Sequence, residues 1–385
     1  MSHQPAAVIG VGQTKHSKAR ADLSMPGLVR EAAERALVDS GLDWKDIDAL
    51  VIGKAPDAFE GVMQPELFLA DALGATGKPM LRVHTAGSVG GSTMIYASHL
   101  VSAGVHERVL AVAWEKQSEG NAQWGLAGGK SGGIGAGGAF APYMHDYIRK
   151  TGAPEYIGWM VAVKDRLNAL KNPYAHLRIP DISIEKVKES PMLWDPIRFL
   201  ESCPSSDGAC AMVLGSEAAA KQAPGNPAWV RATQIRSELG TFPGRNGTKP
   251  QAGVECARML YADAGITNPR EQIDVAEIYV PFSWYEPMWL EGHEIAGPGE
   301  GWRMVDSGET EMTGKFPVNC SGGVLSSNPI GASGMLRMAE AANQVRGACG
   351  EHQIDGAKVS LGQAYGGNAQ YFAMSIFTDT LDRLP

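Results

Sequence analysis

Residues 318–335, VNCSGGVLSSNPIGASGM, decide the fold of this chain, because a glycine-rich segment leads here into a helical pattern that ends near Arg346. An earlier stretch, HTAGSVGG at 84–91, has the same form, since Val83 precedes it and a predicted helix over Ser92–Gly104 follows it. Both helical patterns open with small residues followed by methionine, GGSTM and GASGM. We call 84–91 the first elbow and 318–335 the second elbow, and we interpret both as copies of one unit: strand, elbow, helix, strand.

Apolar, β-branched runs alternate with helical patterns along the rest of the chain, which indicates an α/β fold. Strands are predicted at Ala7–Gly12, Leu50–Gly53, Val109–Trp114, Ala211–Gly215, Trp229–Arg236, Val275–Pro281, Val359–Gly362 and Phe372–Thr378. Helices are predicted at Ser24–Ser40, Ser92–Gly104, Gly253–Ala264 and Gly334–Arg346.

The segment QAPGNP at 222–227 has the composition of a linker. It predicts two halves, 1–224 and 225–385, with a loop insertion over about 117–200 in the first half. A duplicated α/β unit would place the two elbows at equivalent positions, where a ligand site between halves usually lies. Two unrelated α/β units would show similar glycine punctuation, so the pattern leaves that alternative open.

Composition excludes several classes of protein. The chain has 385 residues, 44% of them hydrophobic, and its 34 basic and 42 acidic residues leave a formal net charge of −8. That balance, without a long basic block, counts against nucleic-acid or anionic-membrane binding as the main activity. No apolar run approaches the roughly 18 residues of a membrane span, and the start MSHQPAAVIGVGQT has no secretory pattern. We therefore expect a soluble, cytoplasmic protein.

Metal, disulfide and nucleotide-binding motifs are missing from the sequence. The five cysteines form no C-x-x-C pair, and the nine histidines show no H-x-x-x-H or H-x-H spacing. The stretch GLAGGKSGGIGAGG at 125–138 lacks the leading glycine of a phosphate loop, because Trp124 occupies that position. We expect no metal site, and we interpret 125–138 as a loop over a cleft.

Four further segments carry the functional signal together: SCPSSDGACAMV at 202–213, EIYVPFSWYE at 277–286, the second elbow, and SLGQAYGGN at 360–368. With VIGVGQT near the start and AGSVGGST at 86–93, their order and spacing resemble the thiolase superfamily, specifically its sterol-carrier-type thiolases and thiolase-like lipid-transfer proteins. The resemblance spans nearly the whole chain. It implies a thiolase fold with two duplicated halves in a five-layer αβαβα arrangement, and a homodimer formed through the first half.

The resemblance also shows where this chain departs from the family pattern. Ser88 stands where a thiolase has its nucleophilic cysteine, and Asn328 stands at the histidine of the G-H-P motif. Tyr279 takes the position of the histidine in the family's H-D-x-F motif. Near the C-terminus, where biosynthetic thiolases have a second cysteine before glycines, this chain has Tyr365 followed by two glycines. A helix N-terminus activates a thiol by lowering its pKa, whereas a serine hydroxyl also needs a base. His84 is the nearest histidine before Ser88 and is one candidate for that base.

Without both cysteines and both histidines, thiolysis through an acyl-enzyme cannot follow the usual route. The resemblance to thiolase-like lipid-transfer proteins of bacterial steroid degradation implies instead a retro-aldolase for a 3-hydroxyacyl-CoA, such as a steroid side-chain thioester. Another thiolase-like acyl-CoA reaction and a non-catalytic acyl-CoA binder stay open as alternatives.

In the aldolase hypothesis, Tyr279 and Tyr365 act as acid and base if the site draws their pKa values toward neutrality. Asn328 stabilises the enolate oxygen, and Ser88 and His84 complete the candidate catalytic set. Four small residues are candidates for binding the CoA substrate: Gly331, Ser333, Gly366 and Gly367. No cofactor is expected beyond the CoA of the substrate. Aldolases of this sort resemble systems with a separate small zinc-ribbon/OB-fold protein, so we expect such a partner.

Overall fold

The computed structural model describes residues 4–120, 135–240 and 244–384. Its strands are β1 Ala6–Gln13, β2 Ala49–Lys54, β3 Met80–Val83, β4 Arg108–Lys116, β5 Met192–Trp194, β6 Ile197–Arg198, β7 Asp207–Ser216, β8 Ala228–Ser237, β9 Val275–Glu277, β10 Val359–Gly366 and β11 Tyr371–Thr378. Its α-helices are α1 Met25–Ser40, α2 Glu66–Ala72, α3 Val89–Ser102, α4 Gly135–Thr151, α5 Tyr156–Ala169, α6 Ile184–Glu189, α7 Glu217–Ala220, α8 Gln251–Ala264, α9 Pro269–Gln272, α10 Tyr285–Gly292, α11 Gly301–Asp306, α12 Gly323–Ser326 and α13 Ile330–Arg346. Short 3₁₀ turns lie at Trp44–Asp46, Asp57–Phe59, Gln117–Glu119, Phe199–Glu201 and Gly350–His352.

One large mixed sheet runs through the described residues, in the order β3-β2-β4-β7-β1-β8-β11-β10-β9. The first five strands in that order precede residue 217 and the other four follow it. The two groups meet where β1 pairs antiparallel with β8, through Ala7 opposite Trp229 and Val8 opposite Ala228. Each predicted half therefore contributes a contiguous part of the sheet.

Helices lie on both outer faces of the sheet and between its two parts. On one side, α1 packs on β1 and β7, and on the other side α8 packs on β8 and β11. The helices that follow the two elbows, α3 and α13, contact strands of both parts and each other. This places the N-termini of α3 and α13 in the middle of the molecule, as expected for five layers.

The ends of α1 illustrate why these segments are helical. The side chain of Ser24 accepts a hydrogen bond from the backbone N–H of Gly27, and Pro26 occupies the first turn, where its missing N–H costs nothing. Gly41 ends the helix in the left-handed conformation at φ 69°. Both ends match the predicted helix Ser24–Ser40 to within one residue.

Several predicted elements differ from the structure in their bounds. Helix α13 begins at Ile330 rather than Gly334, so the small residues after Pro329 belong to the helix. Strand β9 ends at Glu277, and the predicted continuation to Pro281 is irregular. The repeated unit also predicts a strand leading into the second elbow. In its place, Val318 forms a single bridge with Ala276.

The first half contains more helix than the sequence patterns suggested. The predicted insertion over about 117–200 includes α4, α5 and α6. Most of the predicted loop at 125–138 lies outside the described residues, and its last part begins α4. No helix within the described ranges is long and apolar enough to cross a membrane. The cytoplasmic location and the division near residue 225 stay predictions.

Candidate active site

Ser88 lies within the first elbow, where it is the N-cap of α3 and is fully buried. Its hydroxyl donates back to the backbone oxygen of Thr85 at 2.7 Å and lies 3.0 Å from the Thr85 hydroxyl. The Thr85 hydroxyl in turn lies 2.8 Å from that of Ser92. A local network of hydroxyls therefore surrounds Ser88, and none of these groups is a base strong enough to activate it.

The second elbow presents the side chain of Asn328 to two hydroxyl groups. Its Oδ1 accepts from the Tyr279 hydroxyl at 3.1 Å and from the Ser333 hydroxyl at 2.8 Å. All three side chains are buried, with Tyr279 and Asn328 only 5% and 6% exposed. The structure thus brings together three of the residues selected from the sequence, on three different elements.

Asn328, Tyr279 and Ser333 form a cluster with a fourth residue, Cys203, which the sequence analysis did not select. Nδ2 of Asn328 donates to its sulfur at 3.2 Å. Burial raises the pKa of the Cys203 thiol to about 11, so the thiol is protonated at neutral pH. The only sequence signal for Cys203 was its place in the CPSSDGA segment, which marked a family motif and not a reactive group.

The backbone of Asn328 is held from the opposite side. Its N–H donates to the Ser206 hydroxyl at 3.1 Å, and its carbonyl accepts from Nε2 of Gln117 at 2.5 Å. Nδ1 of His176 lies 2.9 Å from the same Ser206 hydroxyl. These contacts fix the backbone of Asn328, while Tyr279, Ser333 and Cys203 hold its side chain, and together they preorganise the amide as a donor.

Tyr365 lies in β10, and its ring is enclosed by other aromatic rings. The Tyr279 ring stands edge-on to it at 5.2 Å, and the rings of Trp289 and Tyr285 lie 5.2 Å and 5.3 Å away. Phe140, from α4 of the insertion, closes the group at 6.4 Å. The two tyrosines chosen from the sequence are therefore neighbours in a largely aromatic pocket.

A buried ion pair fixes the loop that carries Tyr279. Arg337 of α13 contacts the carboxylate of Glu277, which also accepts from the Ser321 backbone at 2.9 Å and from the Ser321 hydroxyl at 2.8 Å. Tyr279 itself donates its backbone N–H to Oε1 of Gln363 at 2.8 Å. The position of the phenol is thus set by strand β10 and helix α13 together.

The pKa values of the two tyrosines run opposite to the expectation from the sequence. Burial raises the pKa of Tyr279 and raises that of Tyr365 well above its usual value. A low-polarity environment disfavours the charged phenolate, and at Tyr279 the charge of Arg337 offsets this only in part. Both phenols are therefore protonated at neutral pH, and the condition of a pKa drawn toward neutrality is wrong for the protein without substrate.

The small residues proposed to bind CoA have packing roles in the structure. A Cβ on Gly366 would lie 2.4 Å from the backbone nitrogens of both Gly87 and Ser88, so only glycine lets β10 approach the start of α3. Gly331 approaches the backbone of Trp114 closely, and Gly367 adopts a left-handed φ of 62°. Contact of these glycines and of Ser333 with CoA stays a prediction.

His84 follows β3, and its ring is partly exposed and partly covered by the protein. Partial burial of the ring and the nearby charge of Arg82 lower its pKa. In the described part of the chain no hydrogen bond joins His84 to Ser88, Asn328 or either tyrosine. Its role as a base stays a prediction, and the geometry gives it no support.

One group of described residues has the atoms to hold a metal ion: Glu340, Cys349 and His352, all buried. Nε2 of His352 lies 2.9 Å from the Glu340 carboxylate, which also accepts from Gln13 at 2.7 Å. Burial tends to lower the pKa of His352, but the carboxylate of Glu340 outweighs it and raises that pKa. The group therefore satisfies itself as an ion pair and does not require a metal ion.

Comparison with known proteins identifies the family of the chain. A family model described as thiolase C-terminal domain-like matches residues 244–379. Acetyl-CoA acetyltransferase of Methanothermobacter thermautotrophicus is 30% identical, over 97% of this chain and 99% of that protein. Human sterol carrier protein 2 is also 30% identical, over 92% of this chain and 68% of that protein.

Solved structures extend the likeness to the whole fold. The Ltp2-ChsH2(DUF35) aldolase superposes with a TM-score of 0.84 at 26% identity, covering 98% of both chains. Human mitochondrial 3-ketoacyl-CoA thiolase superposes with a TM-score of 0.74 over 99% of this chain and 100% of that one, and at 15% identity it shows the fold alone. The chain belongs to the thiolase superfamily, among its sterol-carrier-type thiolases and lipid-transfer proteins.

Proposed function

We propose that the protein is an aldol-lyase that cleaves a 3-hydroxyacyl-CoA into a ketone or aldehyde and a shorter acyl-CoA. One contrast in hydrogen bonding carries the proposal. The hydroxyl of Ser88, at the nucleophile position, donates back to Thr85, whereas the Tyr279 hydroxyl donates to Asn328 in an uncharged cluster. Acyl transfer needs an activated nucleophile, but a retro-aldol cleavage needs only proton transfer and a stabilised enolate.

In the proposed reaction, the thioester oxygen accepts a hydrogen bond from Asn328 and the 3-hydroxyl lies at the tyrosine pair, Tyr279 and Tyr365. The bond between C2 and C3 breaks, and its electron pair forms the thioester enolate, to which Asn328 donates. Because both phenols are protonated in the free protein, a tyrosine accepts the 3-hydroxyl proton only while passing on its own. The proton transfer is therefore concerted.

The similarity to the Ltp2-ChsH2(DUF35) aldolase supports the lyase chemistry and also an assembly with a second protein. We extend both to this chain, with a small zinc-ribbon/OB-fold protein as the partner and a homodimer as the core. The proposed acyl group is bulky and apolar, such as a steroid side chain, to suit the rings around Tyr365. Full activity of the chain expressed alone would refute the partner.

Dependence on free CoA separates this proposal from an acyltransferase, which the similarity to acetyl-CoA acetyltransferase favours as the second candidate. The chain is incubated with a 3-hydroxyacyl-CoA with and without CoA, and products are identified by mass spectrometry. We expect a carbonyl product without added CoA. Turnover that requires CoA would indicate the acyltransferase, and thermal stabilisation by acyl-CoA without any product would indicate a binding protein.

A further inference from the structure

We infer that Cys203 is the acid that delivers a proton to the enolate carbon, an assignment that rests on the proposed retro-aldol function. Its sulfur accepts the hydrogen bond from Nδ2 of Asn328, the group that faces the enolate oxygen in that reaction. Of the five cysteines, all of which lie in the described ranges, four are buried and Cys203 alone is partly exposed. The thiol itself is buried and lies against the amide of Asn328, the group at which the proposed reaction takes place.

The geometry of the Asn328 amide brings the thiol within reach of the reacting carbon. Tyr279 and Ser333 donate to Oδ1, which directs Nδ2 toward Cys203. Nδ2 carries two hydrogens about 120° apart, so an oxygen that accepts the second hydrogen lies about 5 Å from the sulfur. The enolate carbon is two bonds from that oxygen, and an orientation toward Cys203 places it at proton-transfer distance from the thiol.

The position of Cys203 relative to Tyr279 is held by the backbone. The N–H of Cys203 donates to the carbonyl of Pro281 at 2.9 Å, and Ser202 forms a bridge with Phe282. Pro281 is two residues after Tyr279, so the thiol and the phenol are fixed on opposite sides of one amide group. At neutral pH the buried thiol retains its proton and has it available to donate.

The proton balance of the reaction then closes within the site. The C2–C3 bond breaks, and its electron pair stays on C2 as the enolate while the 3-hydroxyl becomes a carbonyl. The S–H proton of Cys203 is transferred to C2. The 3-hydroxyl proton passes to a phenol of the tyrosine pair as that phenol gives its own proton to the thiolate, so the protein ends with the protons it held at the start.

The test measures the final step in reverse, by hydrogen exchange at C2 of a short acyl-CoA. The full chain, with its partner if the two co-purify, is incubated with acetyl-CoA or propionyl-CoA in D₂O, and deuterium uptake is read by mass spectrometry. We expect the wild type to exchange hydrogen at C2. In both Cys203→Ala and Cys203→Ser the exchange rate should fall by ~10²-fold or more, the usual effect of removing an acid. Cys256→Ala, in α8 and outside the cluster, should exchange as wild type.

The serine variant separates an acid from a positioning residue, because a serine hydroxyl still accepts from Asn328 but is a far weaker acid. Exchange at the wild-type rate in Cys203→Ser, or no exchange in the wild type, would overturn the assignment. If the variants fold poorly, alkylation of wild-type Cys203 by N-ethylmaleimide should abolish exchange, and acyl-CoA should slow the alkylation.

Failure of the proposed function gives a different result from failure of this assignment. A wild type that exchanges hydrogen but cleaves no 3-hydroxyacyl-CoA refutes the aldol-lyase, and loss of that exchange in Cys203→Ala and Cys203→Ser still supports Cys203 as an acid. A Cys203→Ala variant that cleaves and exchanges like the wild type refutes the assignment and leaves the aldol-lyase standing.

Discussion

Each of the two elbows of this molecule leads into a helix, but the two offer different chemistry. At the first, the hydroxyl of Ser88 turns back to the Thr85 carbonyl of its own turn, 2.7 Å away. At the second, the side chain of Asn328 reaches Tyr279 and Cys203, which belong to distant segments of the chain. One elbow satisfies its polar group locally, and the other makes its polar group part of a cluster.

The difference follows from what covers each elbow. The end of β10 lies directly on the first elbow, where Gly366 leaves no room even for a Cβ beside Ser88. The second elbow faces the irregular segments around Cys203 and Tyr279, which bring side chains rather than backbone. The comparison teaches that the first elbow, where a thiolase has its nucleophile, holds its hydroxyl within its own turn, whereas the second elbow presents an amide to the groups that the proposed reaction uses.

The largest expected effect comes from the tyrosines beside the second elbow. Tyr279→Phe and Tyr365→Phe should each lower turnover by ~10²–10⁴, because each removes a proton-transfer group. Turnover of a 3-hydroxyacyl-CoA measures this, with thermal unfolding to check the fold. As the matched control, Tyr261→Phe removes a buried hydroxyl that donates to the His293 carbonyl at 2.9 Å, and its turnover should not change. Wild-type turnover rates in both site variants would mean that these tyrosines have only a structural role.

The next effect is at the second elbow itself. Asn328→Ala should lower turnover by ~10²–10³, the usual loss for one oxyanion donor, and should do so under an aldolase or an acyltransferase mechanism. Turnover is again the measurement, and Asn343→Ala, four turns along α13, is the control. A loss below tenfold would mean that Asn328 does not bind the reacting oxygen.

A smaller effect tests the covering of the first elbow. Gly366→Ala forces a Cβ to within 2.4 Å of two backbone nitrogens, so β10 or α3 must shift. We expect the free energy of unfolding to fall by about 1–3 kcal/mol, as overpacking usually costs, measured by denaturant titration. Gly27→Ala, in α1, meets no atom closer than 3.4 Å and should be neutral or stabilising. Equal stability of both variants would contradict the close approach.

The smallest effect is expected at Ser88. Ser88→Ala should lower turnover by at most ~10-fold, because the lost hydrogen bond is worth about 1 kcal/mol and no acyl-enzyme forms. The measurement is turnover together with mass spectrometry of the intact wild-type protein during reaction. A Ser88→Ala variant as inactive as Asn328→Ala, with a serine ester trapped on the wild type, would contradict the aldol-lyase.

Most of the regular elements were predictable from local patterns. All eight predicted strands are present, and β4 and β8 match their predictions to within two residues at either end. The apolar run of β4 is buried on both faces, whereas β8 is partly exposed along most of its length. Helix α13 was predicted too short because Gly331, Ser333 and Gly334 resemble a turn in sequence. These residues are helical because α13 packs closely on α3. Helix propensity depends on the local sequence and does not include such a contact between helices.

The candidate site was predictable only in part. Motif positions identified Tyr279, Tyr365 and Asn328, and the structure places them together. Cys203 was missed because a cysteine in a motif is reactive only through its neighbours, and these come from segments far away in the chain. Phe140 was missed because it belongs to the insertion, where the sequence patterns predicted a loop.

The sequence by itself determined which residue types occupy the reactive positions of the family, because those positions lie in short motifs with set spacing. The direction in which the pKa values of the two tyrosines shift was decided only by the tertiary structure, since burial among rings from α4, α10 and β11 raises them. The orientation of Asn328 was likewise decided by contacts with Tyr279 and Cys203. A pKa and an amide orientation depend on groups that are neighbours in space and distant in sequence, so only the folded chain could supply them.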